Sequence, residues 1–433
     1  MLQKKVCMFV WNHFTNDARV LRECTALAES GYEVDLICIH DWKQVDLPMW
    51  EQRQEGFTVT RVKNRVPVLQ KVFGLAKRVK RIAMKNIATI ATVGLFVMLG
   101  MWKFPIVTVG LLLLAFLLTQ RKVATLFVRG AILFRMIRAG LKKKYDIYHS
   151  NDLNTLPQGF ICAKILSRKK LIYDSHEVQT SRTGYNSNIY GIMEKFFIKF
   201  CDVIIMENHT RAKYTEDLYG FYPKVIHNYP FVSRPELSKS MDLHGLLNIS
   251  RNEPILLYQG GVQIGRGLDK LVQAVPLFKR GVVVFIGDGR IKPELQQMVQ
   301  DMKLEDRVKF LPKVPVQDLI HYTKNAYLGF QVLNNICFNH YSASSNKLFE
   351  YMMSGVPVVA CKFPEIQGVV EKENIGVCVD SHDPASIADG VNYLLDHPEE
   401  REIMKENCFS ARNTYNWNEE KQMFIDIYKE IAS

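Results

Sequence analysis

Between Phe57 and Tyr145 the chain has no Asp or Glu, and the same stretch holds eighteen Lys and Arg. The remainder carries 38 basic against 44 acidic residues, so the net charge of +12 is local and the rest of the chain stands near −6. A nucleic-acid-binding protein spreads its basic residues along a groove between ordered motifs. Here they flank an apolar run, which suits a membrane surface and argues against a nucleic-acid partner. The nine cysteines include no Cys-x-x-Cys and no metal-like spacing. Cys7, Cys38, Cys201, Cys361 and Cys378 sit in or beside apolar runs, and they read as buried free thiols of a reducing compartment. There is no tidy Asp-x-Asp metal motif and no solenoid repeat. Residues 1–10 lack a long apolar region and a small-residue cleavage site, so they read as a first strand.

What is present is a series of alternating strands and helices. A length of 433 residues suits two domains. Lys5 to Val10 reads as a strand. Asp17 to Ser30 follows as an amphipathic helix with Ala18, Leu21, Ala26, Leu27 and Ala28 inward and Gly31 as its stop. Glu33 to Ile39 is the next strand. A βαβ opening predicts a parallel sheet. Phe57 to Val62, Tyr145 to His149, Lys170 to Tyr173 and Asp202 to Glu207 read as further strands, and Tyr190 to Phe200 as a helix. In open α/β sheets ligands sit beyond the C-terminal strand ends. His149, Asn151 and Asp152 fall there, as do Asp174, His176 and Glu177. Asn16 and Asp17 suit a helix cap equally well, and His149 a satisfied strand-end histidine.

The acid-free stretch interrupts this series over 71–141. Lys71 to Lys85 alternates apolar and basic residues at helical spacing, as an interfacial helix does. Ile87 to Leu118 is apolar with one charge, Lys103, and is broken at Trp102–Pro105. Each half is shorter than the roughly 20 residues that cross a bilayer squarely. Basic flanks on both sides stay cytoplasmic, so the expectation is a membrane-embedded helical hairpin over 87–118, entering from the cytoplasmic face of the inner membrane. A buried apolar helix pair is the alternative. A basic amphipathic helix, Ala124 to Leu141, follows.

Phe231 to Glu253 reads as a linker. A strand, Ile255 onward, then opens the glycine-rich loop Gly260-Gly261-Val-Gln-Ile-Gly-Arg266, and a helix starts at Leu268. Glycines let backbone N–H groups approach a phosphate, and Arg266 offers a bidentate grip on it. Val282 to Ile286 is a strand ending in Gly287-Asp288-Gly289. Ser342 to Ala360 reads as a polar loop, a short helix ended by Gly355, and a buried strand. Ser344 and Asn346 stand at the helix N-terminus, whose free N–H groups suit an anion. Lys347 adds a full charge, and Glu350 lies one turn on.

The run Asn346-Lys-Leu-Phe-Glu350-Tyr-Met, followed by Gly355-Val-Pro-Val-Val-Ala360, resembles the nucleotide-sugar-binding segment of the GT-B glycosyltransferases of retaining family 4. The resemblance extends to the glycine-rich loops, to Phe363–Ile366 and Gly376–Asp380, to Val225–Pro230, and to three acceptor-side loops. These are Asn12–Val20 with His13, Asn16 and Asp17, then His149–Asp152, then Asp174–Glu177. Many members carry two glutamates with seven residues between them; the second matches Glu350 and the first falls at Ser342. Many also carry a histidine where Asn151 stands.

The resemblance implies an α/β chain of GT-B type, with two Rossmann-like domains facing a cleft. The boundaries expected are 1–230 for the acceptor domain, 231–253 for the linker, 254–410 for the donor domain, and 411–433 for a helix crossing back. It implies retention, with Arg266, Lys347, His176 and Asp152 at the reaction and Glu350 on the donor ribose. The partners expected are a nucleotide sugar, a lipid-linked acceptor and membrane lipid along 71–141. No metal or other cofactor is called for, because Arg266, Lys347 and the helix N-terminus can carry the leaving diphosphate. A nucleotide-sugar epimerase and a non-catalytic membrane-bound scaffold are the alternatives.

Overall fold

The computed structural model describes residues 3–432 apart from 45, most positions between 68 and 86, 182–187 and 233–239. The expected interfacial helix at 71–85 therefore lies largely outside the described residues. The chain divides into two compact units, Met1–Ile172 and Tyr173–Ser433.

One sheet contains β1 (Lys5–Phe9), β2 (Glu33–Ile39), β3 (Trp50–Gln52), β4 (Thr58–Val62), β5 (Ile147–Asn151), β6 (Lys170–Ser175), β7 (Val203–Met206) and β8 (Lys224–Val225). Its order is β3-β4-β2-β1-β5-β6-β7-β8. The register pairs Val6 with Val34 on one side and with Ile147 on the other, both parallel. The sheet thus reverses its direction of winding at β1, and the loops after β1 and β5 open at that switch point. The short β3 was not expected; it pairs antiparallel with β4.

The first helix spans Ala18–Glu29, with Asp17 as its cap. Its inward face differs from the expectation. Ala18 is exposed, while Arg19, Arg22 and Glu23 are buried with Val20, Cys24, Ala26 and Leu27. An apolar-only reading misses this because Arg19 and Glu23 form an ion pair at 2.9 Å that lets both be buried.

The apolar stretch forms two helices, Ile87–Lys103 and Pro105–Thr119, which fold back at Phe104. Gly100 lies against Thr108 across the turn, where an added Cβ would come within 2.7 Å of Thr108 Oγ1. The helices hold 17 and 15 residues, and no helix among the described residues is long and apolar enough to cross a membrane. Their large side chains are exposed, Trp102 at 86% and Ile106 at 87%. The third helix, Arg121–Gly140, returns to the sheet beside β2 and β4. There Arg135 donates to the carbonyls of Lys63 and Arg65. The alternative of a buried helix pair is excluded by these exposures.

The second sheet contains β9 (Ile255–Gln259), β10 (Val282–Ile286), β11 (Val308–Leu311), β12 (Leu328–Gln331), β13 (Val358–Cys361) and β14 (Gly376–Val379), in the order β11-β10-β9-β12-β13-β14. It is parallel, for example Val284 to Leu257 and Phe330 to Val359. Helices cover both faces, with separate buried cores under each. β9 and β12 form its switch point. The expected linker contains a helix, Leu243–Leu247. The chain closes with the helices Pro398–Ala411 and Trp417–Ala432, the second within the expected 411–433. That last helix meets the segment after β8: Trp417 N–H donates to the Pro230 carbonyl at 2.8 Å, and Glu420 accepts from His227 N–H at 2.7 Å. All nine cysteines are free thiols, with Cys201, Cys337 and Cys378 half-buried.

Candidate functional site

In the unit 173–433, glycine geometry builds the centre of the site. Gly260 follows β9 with φ +119° and Gly287 follows β10 with φ +155°. The two loops pack backbone to backbone: a Cβ on Gly287 would lie 1.9 Å from the Gly260 carbonyl oxygen, and one on Gly289 2.0 Å from that of Val262. Only residues without side chains allow this approach. Gly260 N–H donates to Ile286 and Val262 N–H to Asp288, which locks the loops together. Gly261 is exposed, and its carbonyl accepts from Tyr258 Oη. The Asp288 carboxylate is already engaged by Lys292 and by Lys313 N–H, so its role here is to staple the loop.

The loop after β12 closes against the same glycines. Asn334 N–H donates to the Gly265 carbonyl at 2.9 Å, and Gly267 starts the Leu268–Ala274 helix at φ +69°, tight against the Val332 carbonyl. His340 stands beside Gly265, with Nδ1 3.2 Å from the Asn334 carbonyl. Burial and the neighbouring cations Arg266 and Lys347 pull its pKa down, so it is neutral at pH 7.

The helix Asn346–Met353 begins here. Its N-cap is Ser345, without a side-chain cap bond, so Asn346 is the first helical residue rather than the cap. The Asn346 Oδ1 accepts from Asn228 Nδ2 at 3.2 Å, and Ser344 is half-buried in the loop before it. Lys347 runs under the glycine loop: a Cβ on Gly260 would sit 3.3 Å from its Cδ, and its ammonium lies 5.5 Å from the Tyr258 ring centre. Desolvation, then the nearby Arg266 charge, pulls its pKa down to about 7, with Glu350 opposing. Two cations thus act on each other here, and the Glu350 carboxylate lies near Lys347. That carboxylate is fixed: Glu350 Oε2 accepts from Gln259 Nε2 at 2.7 Å, and Gln259 Oε1 accepts from Thr323 Oγ1 at 2.7 Å. Gln259, buried at the end of an apolar strand, was missed in the sequence. A lone amide closing an apolar run was the available signal.

The acceptor-side residues of this unit sit at the end of β6. Asp174 is buried inside the strand, one residue further than the sequence indicated, and its Oδ2 lies 3.4 Å from His176 Nε2. His176 and Glu177 are half-buried, and the Glu177 backbone carbonyl accepts from Ser175 and Gln179.

In the unit 1–172, several expected ligand groups prove to be occupied by the fold. Asp17 caps its helix, accepting from Val20 N–H at 3.1 Å and from Asn12 Nδ2 at 2.7 Å. His13 Nδ1 meets the Ile39 carbonyl at 3.0 Å, and Asn16 is exposed. His149 lies in β5 as expected, and the strand runs on to Asn151, which was expected in the loop. Asn151 is buried and donates to the Phe9 carbonyl at 3.0 Å. His149 is buried 3.9 Å from Glu23, which in turn pairs with Arg19. Asp152 follows at φ +61°, a sparsely used conformation that marks the end of the strand.

Residues 243–410 match the family model for glycosyl transferases group 1. A D-inositol 3-phosphate glycosyltransferase of Thermomonospora curvata is 27% identical over 195 residues, 42% of this chain and 44% of that protein. The match thus spans less than half the length of this curated relative. Sucrose-phosphate synthase from Thermosynechococcus elongatus superposes with a TM-score of 0.72 at 16% identity, covering 100% of both chains. Anabaena HepE in complex with UDP and glucose does so with a TM-score of 0.70 at 15% identity, covering 99% of this chain and 100% of its own. The second sheet, its glycine loops and the helix at Lys347 are the segment that matches the group 1 glycosyl transferase model, and the likeness of fold to these solved structures extends over the whole chain.

Proposed function

We propose that the protein transfers a sugar, with retention of configuration, from a nucleotide-diphosphate donor to a lipid-linked saccharide at the cytoplasmic face of a membrane. One observation carries the donor half: Arg266 and Lys347 converge on the glycine loops after β9 and β10, and Lys347 is forced toward neutrality in the free protein. A diphosphate relieves that repulsion and returns the proton, so binding energy and charge complementarity act together. The helix N-terminus at Asn346 adds oriented N–H groups. These groups meet the negative charge that develops on the leaving diphosphate, and in this reading no metal is required. The fixed pair Gln259–Glu350 presents a carboxylate to the donor ribose. His176, braced by Asp174, and Asp152 serve the acceptor, with the leaving phosphate assisting its deprotonation.

The hairpin supports the acceptor half. Helices of 17 and 15 residues reach roughly 25 Å and 22 Å at 1.5 Å per residue, enough to dip into one side of a bilayer and not to span it. The exposed tip, Trp102, Phe104 and Ile106, is the part that would enter lipid. A second face has the same character. On the helix Ile189–Phe197, Ile189, Ile192 and Phe196 are exposed beside Lys195, while its one acid, Glu194, turns inward to Tyr173 and Tyr219. Aliphatic, aromatic and basic groups together suit an anionic lipid surface.

The test is a panel of UDP-, GDP-, ADP- and dTDP-sugars read by thermal shift, then by transfer to extracted polyprenyl-linked saccharides and to the same saccharides free in solution. One nucleotide class raises the melting temperature, and product with an unchanged anomeric configuration forms on the lipid-linked acceptor. Transfer to free saccharides alone sinks the lipid-linked reading. Conversion of the donor without an acceptor points to an epimerase, and the absence of any donor effect points to a scaffold.

A further inference from the structure

The loop that leads into the Asn346–Met353 helix is held by a single guanidinium. Arg211, on the helix His209–Tyr219, is 4% exposed. Its Nε donates to Ser342 Oγ at 3.2 Å, its Nη2 to the Asn339 carbonyl at 3.2 Å, and its Nη1 to the His176 carbonyl at 2.6 Å. Its charge is met by Glu207, one turn earlier, in a close ion pair. Neighbouring groups tighten the same loop. Asn208 Nδ2 donates to the Ser342 carbonyl at 2.8 Å. The Asn339 amide bonds Val178 in both directions, at 2.8 Å and 3.0 Å. Ser342 Oγ donates to the Phe338 carbonyl, and Phe338 N–H donates to Ser181 Oγ.

A buried guanidinium needs a carboxylate, because an unpaired charge in the interior is expensive. Ser342 is the position where the sequence lacks the first glutamate of the family pattern, and Ser342 is what touches Arg211. Glu207 supplies the missing charge from another element. The hydroxyl at 342 is small enough to let the loop backbone be gripped at the carbonyls of Asn339 and Ser342 instead.

We propose that Arg211 and Glu207 are positioning residues for sugar transfer. Arg211 sets the backbone at Asn339 and Ser342, ahead of the helix N-terminus that takes the diphosphate, where the sugar of the donor would lie, and in the same contact fixes the carbonyl of His176 on the acceptor side. Glu207 keeps that guanidinium charged and aimed. The nucleotide half of the donor is independent of the pair, because the glycine loops are locked by their own backbone bonds. This inference rests on the transfer reading above.

The test uses the full chain with matched probes: UDP with UDP-glucose, GDP with GDP-mannose, and dTDP with dTDP-glucose. The pair that wild-type protein binds is carried forward. The variants are Arg211→Lys, Glu207→Gln and the charge-free double variant Glu207→Gln/Arg211→Gln, which removes both buried charges and is kept in case a single variant does not fold. The expected result is a split. Affinity for the free nucleotide stays within about twofold, while kcat for the nucleotide sugar falls about tenfold or more, as a misplaced reacting geometry requires. Equal loss of nucleotide and nucleotide-sugar binding, tracking the melting temperature, would mean a merely structural role and overturns the proposal. Unchanged kcat in the folded double variant overturns it as well. Wild-type protein that binds none of the probes removes the transfer reading itself, and this inference with it.

Discussion

The two sheets have their switch points at β1/β5 and β9/β12, and the two are built of different materials. At β9/β12 the groups that face a ligand are backbone N–H, glycines and two cations, with one carboxylate held by Gln259. At β1/β5 the polar groups are buried and busy: Asp17 is a cap, Asn151 bonds Phe9, and Arg19 pairs with Glu23. In the proposed reading the first is a recognition surface that a diphosphate would complete. The second is a rigid frame, and what it recognises is set by the few groups left at its rim.

The comparison breaks most easily at the cations. Lys347→Ala or Arg266→Ala is expected to lower kcat/KM by about 100-fold or more, the usual effect of deleting a group that meets developing charge. Steady-state kinetics on the donor found by thermal shift checks this. If only acceptor-side variants have such effects, the donor assignment is wrong. Gly287→Ala comes next. Its Cβ would lie 1.9 Å from the Gly260 carbonyl, so the loops must separate, at a cost of roughly 3 kcal/mol or more read by denaturant unfolding.

The pH dependence sharpens the same point. Lys347 titrates near 7 in the free protein. A bound diphosphate favours the charged form, so binding takes up a proton above that pH. Donor affinity should fall by up to about tenfold per pH unit above 7, and less so in Lys347→Arg, which stays charged. Calorimetry in two buffers of different ionisation enthalpy counts the proton. A flat profile in wild-type protein removes Lys347 from the phosphate site. The smallest effect is on the frame: Asp17→Ala should cost about 1 kcal/mol of stability through the lost cap. A large catalytic effect there, without loss of stability, would make that rim a binding surface after all.

The order of elements was legible because strands such as Val282–Ile286 are short apolar runs closed by glycine. The glycine loops were legible for the same reason: residues such as Gly260 and Gly287 announce backbone conformations by themselves. What escaped was whatever depends on a partner far along the chain. Arg19, Arg22 and Glu23 were left off the inward face because an ion pair that permits burial, here Arg19 with Glu23, leaves no trace in hydrophobic periodicity. Asn151 read as a ligand because its acceptor, Phe9, lies 142 positions away. Gln259 and Thr323 carry no motif at all. The pair of apolar helices was visible in composition, down to its turn at Phe104.

The bonds from Asn208 and Arg211 to Ser342 span 134 and 131 positions. Closing such a distance costs entropy that local contacts cannot return. During synthesis Arg211 leaves the ribosome well before the loop it grips. A fragment starting near residue 243 would hold the second sheet and its glycine loops but leave the turn before Asn346 without its mould. Such a fragment would bind a nucleotide and handle the attached sugar poorly, so the early part of the chain acts as a template for the late one.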